Sequence, residues 1–199
     1  QEAVASASKA LALQPTFVDA LCSKGNALRE LRRLVEAVAS YDQAIALNPH
    51  IPEVWNNRGN ALSDLHRHAE AVASFDRALA LRPQFPDAWC NRGAALSEQG
   101  LLDEALQSYG QALALKPAYP EALNNRANTL REMGRLQDAV EAFEQALSAR
   151  PDYPDALSNL GVTLQEIGRQ DEAIARYRQA LSLQGDHLKA RSNLLFSLS

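Results

Sequence analysis

A proline recurs every 34 residues, at Pro15, Pro49, Pro83, Pro117 and Pro151. Other residues keep the same step. Ala37, Ala71, Ala105, Ala139 and Ala173 form one series, and Ala44, Ala78, Ala112, Ala146 and Ala180 a second. Tyr41, Phe75, Tyr109, Phe143 and Tyr177 form an aromatic series, while Gly25, Gly59, Gly93 and Gly161 form a glycine series that Ala127 interrupts. A fixed period of this length is the mark of a repeat architecture, in which each copy is one supersecondary unit that cannot bury its apolar face alone. This one feature excludes most folds.

Each unit reads as two helices. The first starts at a proline such as Pro52, Pro86, Pro120 or Pro154, where a missing N–H costs nothing. An acid follows directly (Glu53, Asp87, Glu121, Asp155) and suits the positive end of the helix dipole. A turn containing Gly100, Gly134 or Gly168 ends the first helix in three units. In the second helix, "DEALQSYGQALAL" places Ala105, Leu106, Tyr109, Ala112 and Leu113 at steps of three and four, on one apolar stripe. Small residues such as Gly93, Ala105 and Ala112 let two antiparallel helices approach closely, and the aromatic series is expected to fill the space between units. Arg32 and His66 stand where the other units have a turn glycine, so those two turns are expected to be less regular.

Trp89, Gly93, Leu96, Ala105, Tyr109, Ala112 and Pro117 together make the pattern of a tetratricopeptide repeat, and nearly the whole chain resembles that family. Leu21, Leu123 and Leu157 depart from the tryptophan position, and Gly185 from the last proline. The resemblance implies an all-α fold, a right-handed α-solenoid of antiparallel helix pairs. It also implies that first helices line an inner wall and second helices an outer one. In this frame residues 1–199 form a single solenoid. Residues 1–17 are the second helix of a truncated repeat; 18–51, 52–85, 86–119, 120–153 and 154–187 are full repeats; 188–199 begin another. Both ends fall inside a unit, and Leu194, Leu195, Phe196 and Leu198 give the last helix no polar cap, so the natural chain is expected to continue in both directions.

Asparagine is a poor helix former, yet Asn57, Asn91, Asn125, Asn159 and Asn193 occupy one position of five successive first helices. Stacking places neighbours in this row at most about 20 Å apart, two helix-packing distances. Two readings stand. An amide carries one acceptor and two donors, so the row can hold the backbone of an extended peptide, with Asn26, Asn60 and Asn128 beside it. Alternatively each asparagine only bonds to its neighbouring helix. The next position drifts from Lys24 through Arg58, Arg92 and Arg126 to Leu160, whereas the row changes only at Ser23. Neutral hydrogen bonds net roughly 0.5–1.5 kcal/mol each, and ordering a peptide costs about 1–2 kcal/mol per residue, so the row alone binds weakly.

Acids flank the row: Asp19, Glu53, Asp87, Glu121 and Asp155 at the helix starts, and Glu30, Asp64, Glu98, Glu132 and Glu166 near the ends. Arg58, Arg92 and Arg126 are expected to pair with some of them. A carboxylate clamp of the kind some such domains use lacks its cations, since Cys22, Asp87 and Asn91 hold those positions.

The net charge of −4 opposes nucleic-acid binding, and no apolar run spans a membrane. Cys22 and Cys90 are two units apart and offer neither a disulfide nor a metal pair, and "HRH" at His66–His68 is a weak metal signal. No Ser–His–acid set, phosphate loop or H-E-x-x-H appears. No catalytic residue, cofactor or metal is therefore assigned, and a cytoplasmic setting is expected. The partner is read as a protein or extended peptide, with the uncapped ends a route to self-association. The units also look like the repeat region of O-linked N-acetylglucosamine transferase-like proteins, and "SNLLFSL" is similar to the segment leading into their catalytic domain. That resemblance implies a second reading: the substrate-recognition arm of a glycosyltransferase whose catalytic domain follows residue 199.

Overall fold

The computed structural model describes residues 2–13 and 16–198, apart from the side chains of residues 8 and 198. Pro15 lies outside the described residues. Twelve helices account for most of them: α1 (Glu2–Leu13), α2 (Val18–Glu30), α3 (Leu34–Leu47), α4 (Pro52–Asp64), α5 (His68–Leu81), α6 (Pro86–Ser97), α7 (Leu102–Leu115), α8 (Pro120–Glu132), α9 (Leu136–Ala149), α10 (Pro154–Glu166), α11 (Gln170–Leu183) and α12 (Leu188–Leu198). The fold is all-α, a solenoid-type succession of helix pairs. Prolines open α4, α6, α8 and α10 at the first helical turn, as the sequence implies. The helices group into two compact units, Gln1–Leu101 and Leu102–Ser199.

In the first unit α2 pairs with α3 and α4 with α5, and α1, α3 and α5 each pack on the following first helix. The core joins Leu21, Leu28, Tyr41, Val54, Leu62 and Phe75 with the small residues Ala37, Ala44, Ala61 and Ala71. Tyr41 and Phe75 are fully buried. They sit inside their own helix pair, directly under a glycine: a Cβ on Gly59 would lie 2.5 Å from the edge of the Phe75 ring, and Gly25 meets Tyr41 in the same way. The glycine thus exists so that a ring can touch backbone. A second cluster around Ala78, Leu79 and Ala88 takes in Trp55 and Trp89, whose indole N–H groups donate to the Pro49 and Pro83 carbonyls at 2.9 Å each. Those two tryptophans tie the connection between successive pairs.

The second unit repeats the plan with α8–α9 and α10–α11, flanked by α7 and α12. Phe143, Leu157, Leu160, Leu164 and Tyr177 form its core. Gly161 lies against Tyr177, whereas the Phe143 pair carries Ala127 at the same position.

The turns within pairs share one backbone. After α8, the Arg135 N–H donates to the Leu130 carbonyl and the Gly134 N–H to Arg131, both at 2.9 Å, and Gly134 has φ +75°. This is the Schellman closure, which needs a left-handed residue. Arg32 and His66 adopt it too, at φ 60° and 59°, with Arg33 donating to Leu28 and Arg67 to Leu62 at 2.9 Å. The expectation of less regular turns is therefore wrong. Packing of the two helices fixes the closure, and the side chain carries the steric cost. The residue after each left-handed position opens the next helix and pairs with an acid three residues on: Arg33–Glu36, Arg67–Glu70, Arg135–Asp138 and Arg169–Glu172. Leu101 replaces that arginine after α6.

Candidate functional site

The asparagines of the row lie on first helices, half-buried, and four of them find side-chain partners. Asn57 donates Nδ2–H to Asn26 Oδ1 at 3.2 Å, and the same Oδ1 accepts the Tyr41 hydroxyl at 2.7 Å. Burial pushes the Tyr41 phenol up, well beyond its ordinary range, so it stays a donor. Asn91 instead donates to Asn56 Oδ1 at 3.1 Å. In the second unit Asn159 donates to Asn124 Oδ1 at 3.3 Å, and Asn124 donates to Asn125 Oδ1 at 3.4 Å. Asn56 and Asn124 are buried at 7% and 6% exposure, so they are the inner members of each pair.

These inner partners were missed in the sequence, although the signal was present. The position before the row reads Cys22, Asn56, Cys90, Asn124, Ser158. Where it is asparagine, the row residue one unit later bonds to it; Asn57, preceded one unit earlier by Cys22, turns to Asn26. Asn60, Asn128 and Asn193 are half-buried and make no side-chain hydrogen bond among the described residues. The row in the second unit is braced from below: Thr129, Thr163 and Ser197 donate to the backbone carbonyls of Asn125, Asn159 and Asn193 at 3.1, 2.9 and 2.8 Å.

Around Asn26 and Asn57 the first unit opens a hollow of about 560 Å³, also lined by Arg29, Glu30, Arg32 and Asp64. Arg29 Nε donates to Asp64 Oδ2 at 2.7 Å, and Arg32 reaches Asp64 at 4.0 Å. Polar groups of both signs therefore ring a floor of amides. A smaller hollow of about 220 Å³ between α4 and α6 is lined by Ser63, Asp64, His66, His68 and Glu98. No group of three or more metal-ligating side chains occurs among the described residues.

The arginines after the row do not pair with first-helix acids. Arg58 Nε binds Asp42 Oδ1 at 2.6 Å and Arg92 Nε binds Asp76 Oδ1 at 2.7 Å, both acids on second helices. The starting acids go elsewhere. Glu53 pairs with Arg82, Glu121 with Arg150 and Asp155 with His187. Burial pushes the Glu121 carboxyl up, but the Arg150 hydrogen bond, its own backbone and the nearby cations outweigh this and hold it low. Neither Cys22 nor Cys90 is part of a disulfide. No helix among the described residues is long and apolar enough to cross a membrane.

Tetratricopeptide-repeat profiles match residues 84–152 and 118–186, and a TPR-repeat profile matches 25–66 and 59–100. The chain belongs to the tetratricopeptide-repeat family. Among curated proteins no relative was found. Solved structures resemble it along most of its length. PilW, a widely conserved type IV pilus biogenesis factor, is 28% identical over 98% of this chain and 89% of its own, with a TM-score of 0.87. YrrB, a TPR protein with an unusual peptide-binding site, is 24% identical over 94% and 96%, with a TM-score of 0.69. TTC0263, a thermophilic TPR protein of Thermus thermophilus, is 23% identical over 91% and 98%, at 0.75. The latter two establish likeness of fold alone. Tetratricopeptide-repeat domains serve as protein-interaction scaffolds, and this chain has that architecture.

Proposed function

We propose that the first-helix face of each unit of this tetratricopeptide-repeat chain holds an extended protein segment by its backbone, through the amides of Asn26, Asn57 and Asn91 in the first unit and, separately, through those of Asn125 and Asn159 in the second. Asn60, Asn128 and Asn193 extend the polar surface. The observation that carries the reading is the hollow floored by Asn26 and Asn57. After donating one N–H to Asn26, Asn57 retains a second N–H and a carbonyl oxygen, which match one peptide group. The inter-helix bond and the peptide bond are thus compatible: the first orients the amide that makes the second. Such orientation lowers the ordering cost of each peptide contact.

The test is a peptide-library screen followed by titration of the selected peptide. Asn57→Ala combined with Asn91→Ala is expected to weaken binding at least about fivefold, two lost bonds at roughly 0.5–1.5 kcal/mol each. Far-UV circular dichroism checks that the fold persists. Unchanged affinity sinks the reading.

The same face would serve a larger enzyme as its recognition arm. Sequence following residue 199 decides this: a glycosyltransferase domain there supports it, and its absence removes it.

A further inference from the structure

The repeats carry an arginine site whose acid has been deleted once. Arg58 and Arg92 reach back sixteen residues to Asp42 and Asp76 on the preceding second helix. Arg58 also reaches forward sixteen residues, its Nη1–H donating to Ser74 Oγ at 2.7 Å. The guanidinium is therefore held on both sides, and the Arg58 and Arg92 side chains are only 20% exposed. Arg126 on α8 keeps the same place in its unit, but Gly110 on α7 stands where the aspartate belongs and Ala142 on α9 where the serine belongs. Both partners are gone while the cation remains. Arg126 is half-buried and makes no hydrogen bond or ion pair among the described residues.

The gap is open. A Cβ built on Gly110 meets nothing within 4 Å, and the residue is exposed. The residues one helical turn either side of it on α7 are Leu106, Gln107, Leu113 and Ala114; those one turn from Arg126 on α8 are Ala122, Leu123, Thr129 and Leu130. None is charged. A glycine inside a helix costs about 0.5–1 kcal/mol relative to alanine, and nothing here requires its backbone freedom. A partly desolvated cation without a partner is likewise unfavourable, and an incoming carboxylate relieves it.

We propose that Arg126 and Gly110 form an acid-accepting site between α7 and α8. An aspartate or glutamate side chain of an acidic segment on a protein partner enters over Gly110 and takes the place that Asp42 and Asp76 fill in the first unit. This surface is formed with a second helix, so it is separate from the asparagine face, and the two can fail independently.

The Arg126 Nε–H resonance reports directly on the site. Acetyl-tetraglutamate-amide is expected to shift it saturably in the intact chain, and acetyl-tetraglutamine-amide is expected not to. Gly110→Asp supplies the missing acid internally and should shift the resonance without peptide and abolish the response. Arg126→Gln should weaken tetraglutamate binding by up to about fivefold, the range of a partly exposed ion pair. No tetraglutamate response, or a response unchanged in Gly110→Asp, overturns the proposal. An equal response to inorganic phosphate at the same concentration also overturns it, because the site would then take small anions rather than an acidic segment.

Discussion

The turn after α4 and the turn after α8 close on the same hydrogen bonds, yet one is built on His66 and the other on Gly134. Their φ values are 59° and 75°. An L side chain in the left-handed region costs roughly 1–2 kcal/mol, and glycine escapes it. The difference teaches which level of structure decides. Two helices packed on a shared core leave the chain one way to reverse, so the backbone is dictated from outside the turn and the residue conforms. It also has a positional consequence. The side chains of Arg32 and His66 reach the hollows at the first-helix ends, where Gly134 and Gly168 present none.

Reversing the residues is the sharpest way to break that comparison. Gly134→Val and Gly168→Val place a branched side chain in the left-handed region and are expected to destabilise by about 1–3 kcal/mol each. Denaturant midpoints measure this. The opposite change is favourable but smaller. His66→Gly and Arg32→Gly each relieve the left-handed cost, offset by the extra unfolded freedom of glycine, for a net gain of about 0.5–1 kcal/mol. A loss of stability in either would mean that the turn is not strained.

The arginine after each left-handed residue sharpens the comparison further. Leu101 lacks the pair that Arg67 makes with Glu70, although Glu104 waits three residues on. Leu101→Arg is expected to add about 0.2–0.5 kcal/mol, read as a small rise in the melting temperature at low salt. The smallest effect is on pH dependence. The hydrogen bond from Arg67 holds the Glu70 carboxyl below its ordinary 4.5, against an opposing push from burial. The folded value is lower than the unfolded one. Its contribution is therefore complete above the unfolded value and disappears as pH falls through the folded one. Glu70→Gln should melt below the parent at about pH 7, and the gap should close as the pH falls through the folded value. A gap that persists in acid would contradict the pairing.

The period, the helix pairs and the proline-led helix starts were legible because each rests on one residue type at one spacing. The conformations of Arg32 and His66 were not, since neither residue prefers the shape that packing imposes. The asparagine row was visible as a row, but its inner partners Asn56 and Asn124 were not. Their bonds cross 35 residues between neighbouring units, and only the packed helices reveal which amide faces which. Arg58 and Arg92 were assigned to the wrong acids for the same reason: Asp42 and Asp76 lie on the preceding second helix, outside the face being read.

The most direct measurement follows the asparagine side-chain NH2 resonances while a library-selected peptide is added to the intact chain. The expected result is that Asn26, Asn57 and Asn91 shift together and saturate with the binding isotherm. Shifts confined to the second helices α3, α5, α7, α9 and α11, with the asparagine amides unmoved, would contradict peptide capture by the first-helix face.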